Sequence, residues 1–409
     1  MSLTRAIHGL VITDHEFSLP LDHDNPAGET IGVFAREVAA EDGRDKPYLV
    51  FFQGGPGSEA PRPTTRDDPP WLPRALEDYR VLFLDQRGTG RSTPVGALPG
   101  MTPQEQYAYL LNFRADSIVR DAEAVRQELG VEKWSVLGQS FGGFCVTAYL
   151  SFYGGSLTEA YVTGGLPAVG RPVDGVYDTT YALMRERNRR FYERYPEDRD
   201  TVREIVARLD SEDVRLPSND RLTARRFRQL GHAFGMSDGF ERVHYLLDFP
   251  FGSPAFLHGV EEVTVFGRNP IYAVLHEACW ADGGATRWSA ERVMPDDFRS
   301  TPELLTGEMI FPWMFDDEAA LSPLREAAGL LAEHEWGRLY DDDALERNEV
   351  PAAAVIYADD PYVPRVLSEE TAARIARLRP WLTNEYLHDG LRQDTRVLAR
   401  LIDLARGRV

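Results

Sequence analysis

Unbroken apolar runs ending in glycine set the frame of this chain. "KPYLVFFQGG" and "YRVLFLDQRG" have that form, which suits strands of a parallel sheet buried on both faces. Upstream, "VITDHEFSLPLDH" and "IGVFAREVAA" read as strands divided by the turn-like "DNPAGET". Downstream, "SIVRDAEAVRQEL" puts Ile118, Ala122, Val125 and Leu129 on one helical face. "WSVLGQS" and "EAYVTGGLP" return to strand. This alternation predicts an α/β fold, a mostly parallel sheet flanked by helices. From residue 171 the texture changes. "YALMRERNRRFYERYPEDRDTVREIVARLD", "SNDRLTARRFRQLGHAFG" and "PIYAVLHEACWADGG" read as helices, and strand-like runs are scarce until "PAAAVIYADD" at 351–360. A helix ("SEETAARIARL"), a strand ("LTNEYLHD") and a last helix ("TRVLARLIDLARG") follow. The pattern divides the chain into an α/β domain, 1–170 with 351–409, and a mainly helical insertion, 171–350, placed before the last strands.

Composition narrows the function. With 409 residues and 43% hydrophobic content, the chain can bury a large core and is long for one undecorated domain. Acidic residues outnumber basic ones, 65 to 45, for a formal charge of −20. That balance argues against a nucleic-acid partner, which needs a basic face. It serves solubility and would favour a cationic substrate. Cys145 and Cys279 lack metal-ligand spacing and make no disulfide framework, so neither metal nor cofactor is expected. The opening stretch "MSLTRAIHGLVITDHEF" has no signal-like apolar core, and no segment approaches the ~18 apolar residues of a membrane span. The expectation is a soluble cytoplasmic protein with no membrane partner; its oligomeric state is left open.

The candidate chemistry centres on "SVLGQSFGGF". Gly138-Gln139-Ser140-Phe141-Gly142 is G-x-S-x-G at a strand-to-helix turn, where only glycine fits at the flanks and the serine projects toward the N-terminus of the next helix. A serine nucleophile needs a base, and the base an orienting carboxylate. Sites in open α/β sheets gather at the carboxyl ends of strands. Two such ends follow the insertion: "AVIYADDPYVP", with Asp359 and Asp360, and "NEYLHDGLRQD", with His388. Of nine histidines, His388 alone combines a strand end with a following glycine. Asp360 is preferred to Asp359 as the acid because D-x-x-x-P, ending at Pro364, places it just beyond the strand; Asp389 is the weaker candidate, since a neighbour of the histidine usually points away from the ring. The oxyanion donors expected are the amides of Phe141 and of Gly55, in "FFQGGPG". Asp85, Arg87 and Arg91 in "DQRGTGRS" are read as braces for the loops around the site.

Taken together, "GGPG", "DQRGTGRS", "GQSFGG", D-x-x-x-P and the late His388 resemble the proline iminopeptidases (prolyl aminopeptidases) of the α/β-hydrolase fold. The match covers 47–170 and 351–409; Gln53 departs from it, standing where many relatives have histidine. The resemblance implies release of an N-terminal residue, typically proline, from short peptides with a free N-terminus. It also implies a helical cap whose carboxylates hold the substrate amine beside aromatic groups. Glu277, beside Tyr272 and Trp280, and Glu308, beside Phe311, Trp313 and Phe315, are the candidates. An acid among aromatics suits a cation with an apolar ring. An esterase or amidase with the same triad, and a catalytically silent binding protein on this fold, are the alternatives.

Overall fold

The computed structural model describes residues 3–409; Met1 and Ser2, the start of the opening stretch, lie outside it. Among the described residues nine strands make one sheet: β1 Leu3–Ile7, β2 Leu10–Pro20, β3 Thr30–Ala40, β4 Tyr48–Phe52, β5 Arg80–Leu84, β6 Trp134–Gln139, β7 Leu157–Thr163, β8 Ala352–Tyr357 and β9 Leu378–Thr383. Their order is β1-β2-β3-β5-β4-β6-β7-β8-β9. β1, β2, β3 and β5 pair antiparallel in succession, and every pairing from β5 through β4 to β9 is parallel.

Alternation of side chains through the central strands explains their solid apolar sequence. Tyr48, Val50 and Phe52 of β4 pack into one core, while Leu49 and Phe51 pack into another on the opposite face. β6 divides likewise, with Trp134 and Val136 on the first face and Leu137 on the second. Both faces are therefore covered, as parallel strands require. The first core continues without a break into the insertion, through Tyr177, Phe191, Phe234 and Phe311.

Between β7 and β8 the chain adds no strand to the sheet. Its helices there include Val173–Arg194, Asp198–Ser211, Gly239–Leu247, Pro254–Thr264 and Pro270–Trp280. "SNDRLTARRFRQLGHAFG" forms only the short helix Ala224–Phe227 and a 3-10 run, Arg228–Gly235.

The last strand lies earlier than expected. "LTNEYLHD" joins β9 only at Leu382 and Thr383; the strand begins at Leu378 and includes Pro380. Proline argues against a central strand, but β9 is the sheet edge, where its missing N–H faces no partner. His388 consequently sits on a loop beyond the strand. Among the described residues no helix is long and apolar enough to cross a membrane.

Candidate active site

The glycines around Ser140 are required by contact. A Cβ on Gly138 would lie 2.2 Å from the Gly142 carbonyl oxygen, and one on Gly142 would lie 2.0 Å from that of Phe52. With the chain pressed this close, Ser140 adopts φ 54°, ψ −127° at the head of the helix Phe141–Tyr153. A non-glycine residue at positive φ is strained, and such strain clusters at functional sites. Thr163 accepts the Ser140 N–H at 2.9 Å, fixing the turn to β7.

Asp360 and His388 meet in a dry setting. Asp360 Oδ2 lies 2.6 Å from His388 Nδ1, and Asp360 Oδ1 accepts the N–H groups of Tyr362 at 2.8 Å and Val363 at 3.2 Å. Both side chains are at most 3% exposed. Burial disfavours the imidazolium, but the Asp360 carboxylate and its hydrogen bond outweigh that penalty and raise the His388 pKa above the ordinary value. Asp359 is half-exposed and pairs with Arg190 at 3.0 Å, outside this group. Asp389 faces the insertion: it accepts the Ser237 hydroxyl at 2.6 Å and the Gln393 amide at 2.8 Å.

Ser140 and His388 line one pocket of about 200 Å³, together with Gln53, Gly54, Gly55, Tyr272, Glu308 and Tyr362. No hydrogen bond joins the Ser140 hydroxyl to the ring among the contacts of His388, a looseness common before substrate binds. Gly54 approaches the nucleophile closely, since a Cβ there would lie 3.6 Å from Ser140 Oγ. Of the three residues read as braces, the Arg91 guanidinium reaches Asp14 and Glu16 on β2. Asp85 accepts from Arg62 at 2.8 Å and the Arg91 N–H at 2.9 Å. Arg87 joins Asp121 at 2.7 Å, and Gln86 holds the Gln53 carbonyl at 2.9 Å.

The two cap glutamates separate. Glu308 enters the pocket, where Oε1 accepts the Tyr272 hydroxyl. His276 Nε2 stands 3.7 Å and His232 Nε2 3.9 Å from its carboxylate. Burial works against its charge, but His276 foremost, with His232 and His388, holds its pKa down at about 2. Glu277, expected to bind substrate, does not line the pocket. Its two oxygens accept the backbone N–H groups of Ser289 at 3.0 Å and Ala290 at 2.9 Å, closing a turn inside the insertion. Burial raises its pKa, and those N–H bonds offset the shift only in part. The aromatic expectation also changes. Trp280 packs edge-on against Phe144, 4.6 Å between ring centroids, and Phe311 stacks on Trp313 at 5.6 Å. Besides His388, the rings lining the pocket are Tyr272, Tyr362 and His232.

Sequence reasoning passed over His232, His276, Tyr362 and Arg392. One signal was available: Tyr272 and His276 are four residues apart on one helix, hence on one face, and they stack with centroids 5.2 Å apart. Among the described residues one group has metal-ligand character, Glu197, Asp198 and His244. It lies in the insertion, none of its members lines the pocket, and His244 Nδ1 is already engaged with Asp198 at 2.9 Å.

Residues 47–249 match the α/β-hydrolase fold family. A proline iminopeptidase from Aeromonas sobria is 45% identical over 98% of both chains. One from Aspergillus aculeatus is 36% identical over 93% of this chain and 90% of its own. Those two alignments run through the insertion as well as the sheet, so the likeness extends to the part of the molecule that roofs Ser140, and on it the chain belongs to the proline iminopeptidase family of α/β hydrolases.

Proposed function

We propose that this enzyme is a serine aminopeptidase that releases an N-terminal residue, proline foremost, from short peptides. One observation carries the reading: Ser140, His388 and Glu308 line the same small pocket. In this mechanism His388 Nε2 takes the Ser140 proton as Oγ attacks the first peptide carbonyl, and Asp360 holds the ring by Nδ1–H. The Gly55 and Phe141 amides receive the oxyanion. His388 then returns the proton to the departing amine, leaving an acyl-enzyme. Water, deprotonated by His388, attacks that ester and frees the amino acid. Glu308 receives the substrate's ammonium, and Tyr272 and Tyr362 flank its ring.

An esterase or amidase would use the same three residues, and the Glu308 carboxylate is what favours a substrate with a free amine. The test compares a prolyl arylamide with its N-acetylated form. Cleavage of the free-amine substrate at least tenfold better in kcat/KM is expected; equal cleavage would favour the general amidase reading. Failure of a serine-reactive phosphonate to label Ser140 would point to a silent binding protein.

A further inference from the structure

We infer that Arg392 receives the C-terminal carboxylate of a short peptide, so that the site grips a di- or tripeptide by both ends. The inference rests on the aminopeptidase reading and adds a second determinant to it. Among the residues lining the pocket, Glu308 is the sole acid and Arg392 the sole lysine or arginine. Glu308 belongs to the insertion and reaches into the pocket from it. Arg392 is exposed and belongs to the short turn of helix Gly390–Gln393 that directly follows His388.

Its charge is uncommitted. Among the described residues its side-chain polar contact is the Met236 sulfur at 4.0 Å, too soft an acceptor to satisfy a guanidinium. The neighbouring acids are engaged elsewhere: Asp389 with Ser237 and Gln393, Asp394 with Arg396 and Tyr386. The guanidinium is nonetheless close enough to oppose protonation of His388, so its field reaches the reacting groups.

The chemistry follows from the polarity of a peptide. With the amine at Glu308 and the first carbonyl at Ser140, the chain beyond the scissile bond runs outward toward the mouth. Each further residue spans roughly 3.3–3.6 Å, which carries the carboxylate of a second or third residue toward the exposed Arg392 at the pocket's rim. On a chain of net charge −20 the surrounding field repels such a carboxylate, and a local cation is what admits it. A guanidinium fork matches a carboxylate with two parallel hydrogen bonds.

The experiment measures kcat/KM for prolyl-glycine and prolyl-glycine amide with the wild type, Arg392→Gln and Arg392→Lys, each checked for an unchanged melting temperature. The wild type should prefer the free acid. Arg392→Gln should lower the acid-over-amide ratio about tenfold, through KM for the acid, and Arg392→Lys should restore part of it. Raising the salt should shrink the wild-type ratio, because the site is exposed. An acid-over-amide ratio that Arg392→Gln leaves unchanged, or a wild-type preference for the amide, overturns the inference while the aminopeptidase reading stands. A wild type that cleaves neither substrate overturns both.

Discussion

The carboxyl edge of the sheet and the helical insertion each supply a carboxylate to the region of Ser140, and they do so under different constraints. At the sheet edge, Asp360 is fixed by the strand it follows: two backbone N–H groups hold one oxygen, and the other faces His388. In the insertion, Glu277 is buried and Glu308 partly so, yet one closes a turn and the other faces the pocket. Strand ends converge because a parallel sheet makes them converge. Helices in a cap converge only as their packing dictates, and one residue of rotation changes the outcome. His276 faces Glu308, while Glu277, the next residue, lies about 100° around the same helix.

The strongest test of that contrast is at the sheet edge. Ser140→Ala should remove nearly all turnover on every substrate, with or without an amine. Asp360→Asn should cost about 10⁴-fold in kcat through the wrong tautomer of His388, whereas Asp359→Asn should stay within a few-fold. Steady-state assays of the folded variants decide this, and the reverse order would move the acid to Asp359.

Next in size is the cap carboxylate in the pocket. Glu308→Gln should lower kcat/KM for a prolyl substrate about ten- to a hundred-fold, the worth of one charge-assisted hydrogen bond. An acyl ester without an amine should lose far less. Equal losses on both substrates would show that Glu308 supports folding instead of recognition.

Glu277 supplies the control. Glu277→Gln should leave the ratio of those two substrates within about twofold of wild type. Glu277→Ala strands the Ser289 and Ala290 N–H groups and opens a cavity, so it should lower unfolding free energy by roughly 2–4 kcal/mol, seen as an earlier denaturation midpoint. A selective loss on amine-bearing substrates would return Glu277 to the binding site.

The smallest effect is on pH. His388 must be neutral to accept the Ser140 proton, so activity is lost as pH falls through its pKa. Because Asp360 raises that value above the ordinary 6.5, the acid limb of kcat/KM should lie above pH 6.5. Asp360→Asn should move the limb to lower pH. A limb below 6.5 in the wild type would contradict the coupling.

Much of the sheet side was legible because its physics is repetitive. β4 and β5 are apolar throughout since both faces are covered, and Gly138 and Gly142 are glycines since no Cβ fits. Spacing alone prefers Asp360 to Asp359, and the structure places Asp360 beside His388 and Asp359 beside Arg190. From sequence the last strand starts at Leu382, whereas β9 starts at Leu378 and holds Pro380, which an edge strand tolerates. The cap was legible in character but not in detail. Nothing local marks His232, on a 3-10 turn, as a neighbour of Glu308 from another segment. Counting by helical turns along "PIYAVLHEACW" would have grouped Tyr272 with His276 and set Glu277 apart.

One tie between the regions has an engineering consequence. The His388 N–H donates to the Gly235 carbonyl at 3.0 Å, and Asp389 holds Ser237; a Cβ on Gly235 would meet the Tyr362 ring at 2.2 Å. The histidine loop is therefore moored to the roof as well as to the sheet. A chimera that imports a foreign cap, to change the residue accepted, must carry the 232–237 segment across intact. Without it the graft would leave Ser140, Asp360 and His388 in place and still work poorly, a failure of seating that an activity screen would mistake for a failure of specificity.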